Sequence, residues 1–155
     1  MSESPSADSK VLFRVENEGG TAHVETLWAT HLGGDKYRLE NSPFWAYEVS
    51  WQDIVLAPFS DVEGHLTFQS VLAKSGNRTV RISFDAPVED GNESDKVLQE
   101  LVAWGCTYEG MNRKYISVNV PHGIELDNVR DHLIRHNTTW EYADPSYAKL
   151  FPEDA

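Results

Sequence analysis

Residues 79–120, TVRISFDAPVEDGNESDKVLQELVAWGCTYEGMNRKYISVNV, change texture several times, and the order of those changes decides the fold. Residues 79–85 alternate as a strand. The acidic linker after them ends at Asn92 or Ser94, both good helix caps, and Val97, Leu98, Leu101 and Trp104 then recur at helical spacing. Gly105 closes that helix, since glycine accepts the left-handed backbone a helix end requires. Residues 106–110 and 114–120 read as two strands around the turn Met111-Asn112-Arg113; in the second, Ile116, Val118 and Val120 oppose Tyr115, Ser117 and Asn119. Pro121 and Gly123 end it. Leu126, Val129, Leu133 and Ile134 mark a second amphipathic helix, and residues 138–142 a last strand. Residues 79–142 therefore read β-α-β-β-α-β, the order of the ferredoxin-like split βαβ arrangement.

Upstream, the period is two. Val11, Phe13 and Val15 alternate with Leu12, Arg14 and Glu16 up to the turn Glu18-Gly19-Gly20, and residues 23–29 follow with Val24, Thr26 and Trp28 on one face. Gly33-Gly34-Asp35 turns the chain into residues 36–40, with Tyr37 and Leu39 inward, until Asn41-Ser42-Pro43 breaks the strand. An aromatic cluster follows (Phe44, Trp45, Tyr47, Trp51), then the apolar run 54–57, which suits a fully buried strand. Residues 65–73 and 79–85 read as two more strands separated by Ser75-Gly76-Asn77. The fold expectation is α+β: a disordered tail over residues 1–10, a small antiparallel β-barrel-like lobe over 11–78, a ferredoxin-like lobe over 79–142 and a C-terminal extension over 143–155. Strand 79–85 could serve both sheets and fuse the lobes.

The 155 residues carry 13 Lys plus Arg against 25 Asp plus Glu, a formal charge of −12, divided as −5 over residues 1–78 and −7 over 79–155. Neither half hides a basic module, so direct nucleic-acid binding and attachment to anionic membranes are disfavoured. Five Trp, six Tyr and six Phe exclude a disordered chain. No apolar run approaches a membrane span or a signal peptide, and Cys106 stands alone, so a disulfide framework cannot form within the chain. The location implied is cytoplasmic.

Signatures of chemistry are scarce. His132 and His136 lie four apart on the second helix near Asp127 and Asp131, but no HExxH and no evident third donor accompany them, so an exposed helix face is expected and no metal or cofactor. Cys106 follows a helix C-terminus, whose negative dipole disfavours a thiolate, and reads as a small buried residue. Nucleophile elbow, P-loop and dinucleotide fingerprints are missing, and Gly19-Gly20 and Gly33-Gly34 precede no helix. Trp45, Tyr47 and Trp51 either line a small pocket with Glu48 or Asp53 as its polar group, or plug the barrel. Asp53 could equally bond backbone N–H groups of its own turn.

Gly34-x-x-Tyr37-Arg38-Leu39-Glu40-Asn41-Ser42-Pro43-Phe44, then Ala46-Tyr47-x-Val49-Ser50-x-x-Asp53-Ile54-Val55, resembles the core of DUF4265, a bacterial family of unknown function. Ser75-Gly76, Leu101-x-x-x-Gly105-Cys106-x-x-Glu109-Gly110 and Val118-x-Val120-Pro121 are also similar to it, while Trp45 and Trp51 stand where that pattern carries smaller or more variable residues. The resemblance spans most of residues 11–142. It implies a bacterial, cytoplasmic, free-standing small protein and brings no activity or catalytic residue.

The functional expectation is a non-enzymatic acidic protein-binding module, most concretely an immunity or inhibitor protein occluding a basic partner such as a toxin. Asp85, Glu89, Asp90, Glu93, Asp95 and Asp131 would face that partner. The alternative is a small-ligand-sensing regulatory domain whose aromatic pocket between the lobes uses Trp45, Tyr47, Trp51 and Asp53.

Overall fold

The computed structural model describes residues 7–17 and 19–154. Strands β1 (Ser9–Glu16), β2 (Ala22–Gly33) and β3 (Lys36–Leu39) form an antiparallel meander, followed by β4 (Ile54–Leu56), β5 (Phe59–Ser60), β6 (His65–Thr67) and β7 (Ser70–Ala73). They make one sheet in the order β5-β6-β1-β2-β3-β4-β7. The apolar members of the period-two pattern, among them Val11, Phe13, Leu27, Ala29, Tyr37, Leu39 and Val55, are buried together on its inner side.

This sheet curls because its ends are tied by neighbouring residues. Phe68 N donates to Leu12 O on β1 and Gln69 N to Leu56 O on β4, each at 2.9 Å. Residues 65–73 are thus not the single strand their pattern suggests. They break at Phe68–Gln69 into strands at opposite ends of the sheet, where Phe68 stacks on Phe13 with ring centroids 4.7 Å apart. The 54–57 run is corrected too: Val55 and Ala57 are buried, but Ile54 and Leu56 are partly exposed, as on a one-sided strand. On β2 the face of Val24, Thr26 and Trp28 is the outward one. Of the tail expected over 1–10, residues 1–6 lie outside the described ones, as does Glu18. Ser9 and Lys10 already pair in β1, and Asp8 Oδ1 accepts from His31 N.

A second sheet is built from β8 (Arg78–Ser83), helix α1 (Glu93–Trp104), β9 (Thr107–Gly110), β10 (Tyr115–Val120), α2 (Leu126–Arg135) and β11 (Thr139–Asp144). Its four strands run antiparallel in the order β11-β8-β10-β9. Asn92 caps α1 by accepting from Asp95 N at 2.9 Å, and Gly105 ends it at φ 113°, a left-handed conformation that a side chain would strain. One sheet face packs Val80, Ile82, Ile116 and Val118 against Val97, Leu98, Leu101, Val129 and Leu133 from the helices. Strand β8 pairs only within this sheet, so the shared strand considered from sequence is not formed. Beyond β11, the short helix α3 (Tyr147–Leu150) and a turn of 3₁₀ helix (Pro152–Asp154) bring Tyr147 and Phe151 against Tyr142. The whole is a mixed α+β fold, mostly strands, with three α-helices among the described residues.

Candidate functional sites

The irregular segment 41–53 lies between the two sheets, and its backbone polar groups need partners that no ladder supplies. Side chains provide them. Glu25 on β2 accepts N–H bonds from Phe44, Trp45 and Ala46 at 2.9–3.0 Å, and Glu109 on β9 accepts from Ser42 N and Asn41 Nδ2. On the carbonyl side, Ser117 Oγ donates to Pro43 O, Tyr115 OH to Phe44 O and Arg81 Nη1 to Ala46 O. The polar residues of β8 and β10 are therefore buried as the second face of their sheet, which is why Ser117, Asn119 and Arg81 are nearly inaccessible.

The four residues considered as a pocket fall into different surroundings. Trp45 is sandwiched between His23 and Tyr115, with centroids at 4.1 and 5.2 Å. Tyr47 is exposed on one side, lies 4.5 Å over the Arg81 guanidinium, and donates to Glu141 Oε1. Trp51 presents its carbonyl to Ser75 Oγ and Asn77 Nδ2. Asp53 is completely buried: it accepts from Ser50 N and Ser75 N and meets Lys74 Nζ at 2.6 Å. Lys74 also donates to Asp144 Oδ2 at 2.6 Å and to Glu48 O, using all three ammonium protons. Ser50 Oγ joins Asp144 and Thr79 to the same network. Asp53 from the first sheet and Asp144 and Thr79 from the second thus share one ion cluster.

Two groups of this interface titrate at high pH. Burial pushes the Tyr115 phenol up to about 12, Arg81 opposing and Glu141 reinforcing the shift. Burial by itself would lower the Lys74 ammonium, but its bonds to Asp144 and Asp53 outweigh that and raise it. A raised folded value means the stabilisation is whole below the ordinary value and is lost as pH climbs through the raised one. The expected result is stability that declines from about pH 10 toward 12, as Tyr115 loses the proton it donates to Phe44 O. Equilibrium urea unfolding across that range checks it, and Tyr115→Phe should flatten the decline. Cys106 is 2% exposed and burial raises its thiol to about 11, an environment that disfavours a nucleophilic thiolate.

The acidic residues also separate. Asp85, Glu89, Asp90 and Glu93 are exposed, and among the described residues the ion pair made by any of them is Glu93 with Lys96 at 3.6 Å. Asp95 is occupied locally, accepting from Gly91 N and Gln99 Nε2, and Asp131 pairs with Arg130 at 2.9 Å. Asp85 and Glu93 share a cleft of about 180 Å³ with Val97, His136 and Thr138, between the end of β8, the first turn of α1 and the turn into β11.

His132 departs from the expectation of an exposed face, being entirely buried. Helix α2 turns its histidines toward α1, where Glu100 meets them: His132 Nδ1 lies 3.5 Å and His136 Nε2 3.9 Å from Glu100 Oε2. The i, i+4 spacing of the histidines was visible in the sequence. Glu100 was not singled out, although its place three residues after Val97 puts it beside the buried stripe of α1. These three side chains are the ones whose types and convergence suit a metal ion.

Two packed sheets, one curled and one covered by helices, define the class of fold. The chain belongs to the DUF4265 family, described as a domain of unknown function, whose model matches residues 25–142. It is similar in structure to a hypothetical protein from Neisseria gonorrhoeae whose crystal structure is solved, with a TM-score of 0.74 at 18% identity, covering 90% of this chain and 96% of that one. At that identity the likeness is one of fold alone. No curated protein matches the chain. Among the described residues no helix is long and apolar enough to cross a membrane.

Proposed function

We propose that this protein is a non-enzymatic binding module that engages a basic protein through the corner formed by Asp85, Glu89, Asp90 and Glu93, most concretely as an inhibitor or immunity protein that covers a toxin's cationic site. The observation carrying this reading is the division of the carboxylates. Glu25, Asp53, Glu109 and Asp144 are consumed in holding the fold, whereas this corner is exposed and has Lys96 as its near base. Four carboxylates at one end of a small domain steer a cationic partner and raise its association rate at low salt. The cleft bearing Asp85 and Glu93 offers a seat for one Lys or Arg side chain of that partner. Asp95 drops out of the contact set, since both its oxygens are engaged within the chain, while Asp131 gives one oxygen to Arg130 and stays exposed on α2. The architectural half of the reading is a barrel-like lobe over residues 11–78 joined to a ferredoxin-like lobe over 79–142, supported by the strand orders given above.

The test compares affinity capture from the native host by the wild-type chain and by Glu89→Gln/Asp90→Asn/Glu93→Gln. A basic protein captured by the wild type, released by salt and weakened at least about tenfold by the triple substitution is the expected result. Capture indifferent to both the substitutions and the salt would sink the proposal.

A second reading, the ligand-sensing domain, draws on a different place from the one its sequence argument used. Arg81 has a buried Nη2 with no hydrogen-bond acceptor and lines a cleft with Tyr115, Trp140 and Glu141, next to Tyr47. A small anion that raises the melting temperature would favour this reading over protein capture.

A further inference from the structure

The geometry points to a divalent transition-metal site formed by Glu100, His132 and His136, in which the ion clips helix α1 to helix α2. His132 Nε2 lies 3.0 Å from Val97 O, and a carbonyl only accepts, so Nε2 carries the proton. In the neutral ring Nδ1 is then a bare lone pair. It is fully buried, has no hydrogen-bond partner within the protein, and lies on the side of Glu100. A buried acceptor left unmatched is unfavourable, and the Glu100 oxygen 3.5 Å away is an acceptor as well.

His136 adds a third donor. The ligand atoms of Glu100, His132 and His136 all lie within 4.8 Å of one another, and the two rings meet edge to face with centroids 4.7 Å apart. The bare, buried Nδ1 of His132 thus has a carboxylate and a second imidazole within reach of the same point. A metal ion satisfies all three donors together.

The arrangement has the supporting contact such sites need. The proton on Nε2, held by Val97 O, fixes the ring and its tautomer so that Nδ1 is presented as a ligand. His132 is the rigid member. Glu100 and His136 are partly exposed, 47% and 27%, and close inward to reach bond lengths of about 2.0–2.2 Å. Two imidazoles and one carboxylate suit Zn²⁺ and its neighbours Co²⁺, Ni²⁺ and Cu²⁺ rather than Mg²⁺ or Ca²⁺. Leu133 follows His132, so the general-base glutamate of an HExxH motif is missing, and the ion's part is to bridge the two helices. The inference does not rest on the partner reading, although His136 also lines the cleft which that reading uses.

The test uses the untagged full chain, stripped with chelator and titrated with Co²⁺, whose visible absorption reports a low-symmetry nitrogen–oxygen sphere. One equivalent is expected to saturate the signal. Zn²⁺ should displace it and raise the melting temperature by roughly 5–10 °C at about a hundredfold excess over its dissociation constant. Glu100→Gln and His136→Ala, both at accessible positions, should keep the fold by circular dichroism while lowering Co²⁺ affinity at least about tenfold. His122→Ala, remote in sequence from the cluster, should change nothing. Co²⁺ affinity and stoichiometry equal in the wild type and in Glu100→Gln/His136→Ala would overturn the assignment, as would a loss of binding in His122→Ala alone.

Discussion

Asp53→Ala should lose about 3–5 kcal/mol of stability, the size of effect seen when one partner of a buried ion pair is removed. The side chain is wholly inaccessible and accepts from three donors, Ser50 N, Ser75 N and Lys74 Nζ. Alanine strands the buried Ser50 N–H, releases the Ser75 N–H at the surface, and leaves Lys74 with Asp144 and the Glu48 carbonyl. The reciprocal variant separates charge from hydrogen bonding. Lys74 is 44% exposed, so solvent screens its contribution, yet Lys74→Met leaves two buried carboxylates around one ammonium-sized gap. Urea unfolding followed by tryptophan fluorescence measures both. Asp53→Ala should lower the midpoint more than Lys74→Met does; the reverse order would mean that the ion pair, and not the turn Asp53 holds together, dominates.

Glu25→Ala should be the other severe change, costing about 2–4 kcal/mol, because three N–H groups of a segment with no ladder lose one carboxylate. Trp45 and Ala46 both donate to Oε1 and Phe44 to Oε2, which makes Glu25→Gln informative. A glutamine oxygen at the Oε1 position keeps two of the bonds, while its amide nitrogen faces the Phe44 N–H, donor against donor. An intermediate loss is therefore expected for Gln and a full one for Ala. Equal losses would show that the negative charge matters more than the number of acceptors. Because the segment reaches Ser117, Tyr115 and Arg81 on the other sheet, the Ala variant should also shift near-UV circular dichroism from Trp45 and Tyr115.

Much of the fold was legible because local chemistry dictates it. Asn92 and Gly105 bracket a helix through a side-chain cap and a left-handed residue, and both act as their residue types foretell. Strand β3 showed in alternation, Tyr37 and Leu39 being its buried face, whereas on β1 Leu12 is buried along with Val11 and Phe13. Residues 65–73 misled because a run of strand-forming residues carries no mark of which neighbour each half will pair with. The split at Phe68–Gln69 follows from the curl of the sheet, which lets two adjacent residues bond to different strands, Phe68 to β1 and Gln69 to β4. The site residues divided similarly. The acidic corner could be read directly, as runs of charge must face water, whereas Asp95 and Asp131 gave no sign that neighbours already hold their oxygens.

By itself the sequence determined the family, the mixed α+β class, the caps of the first helix and the negative charge, because caps, periodicity and charge act within a few residues of chain. The burial of His132 against Glu100, the ion cluster of Asp53, Lys74 and Asp144, and the side-chain bonds that satisfy residues 41–46 were decided only in three dimensions. Each joins groups from 19 to 94 residues apart where the intervening chain bears no trace of the meeting. Such pairings are selected by which buried polar group finds a partner once the sheets have packed, and that is a property of the packed whole.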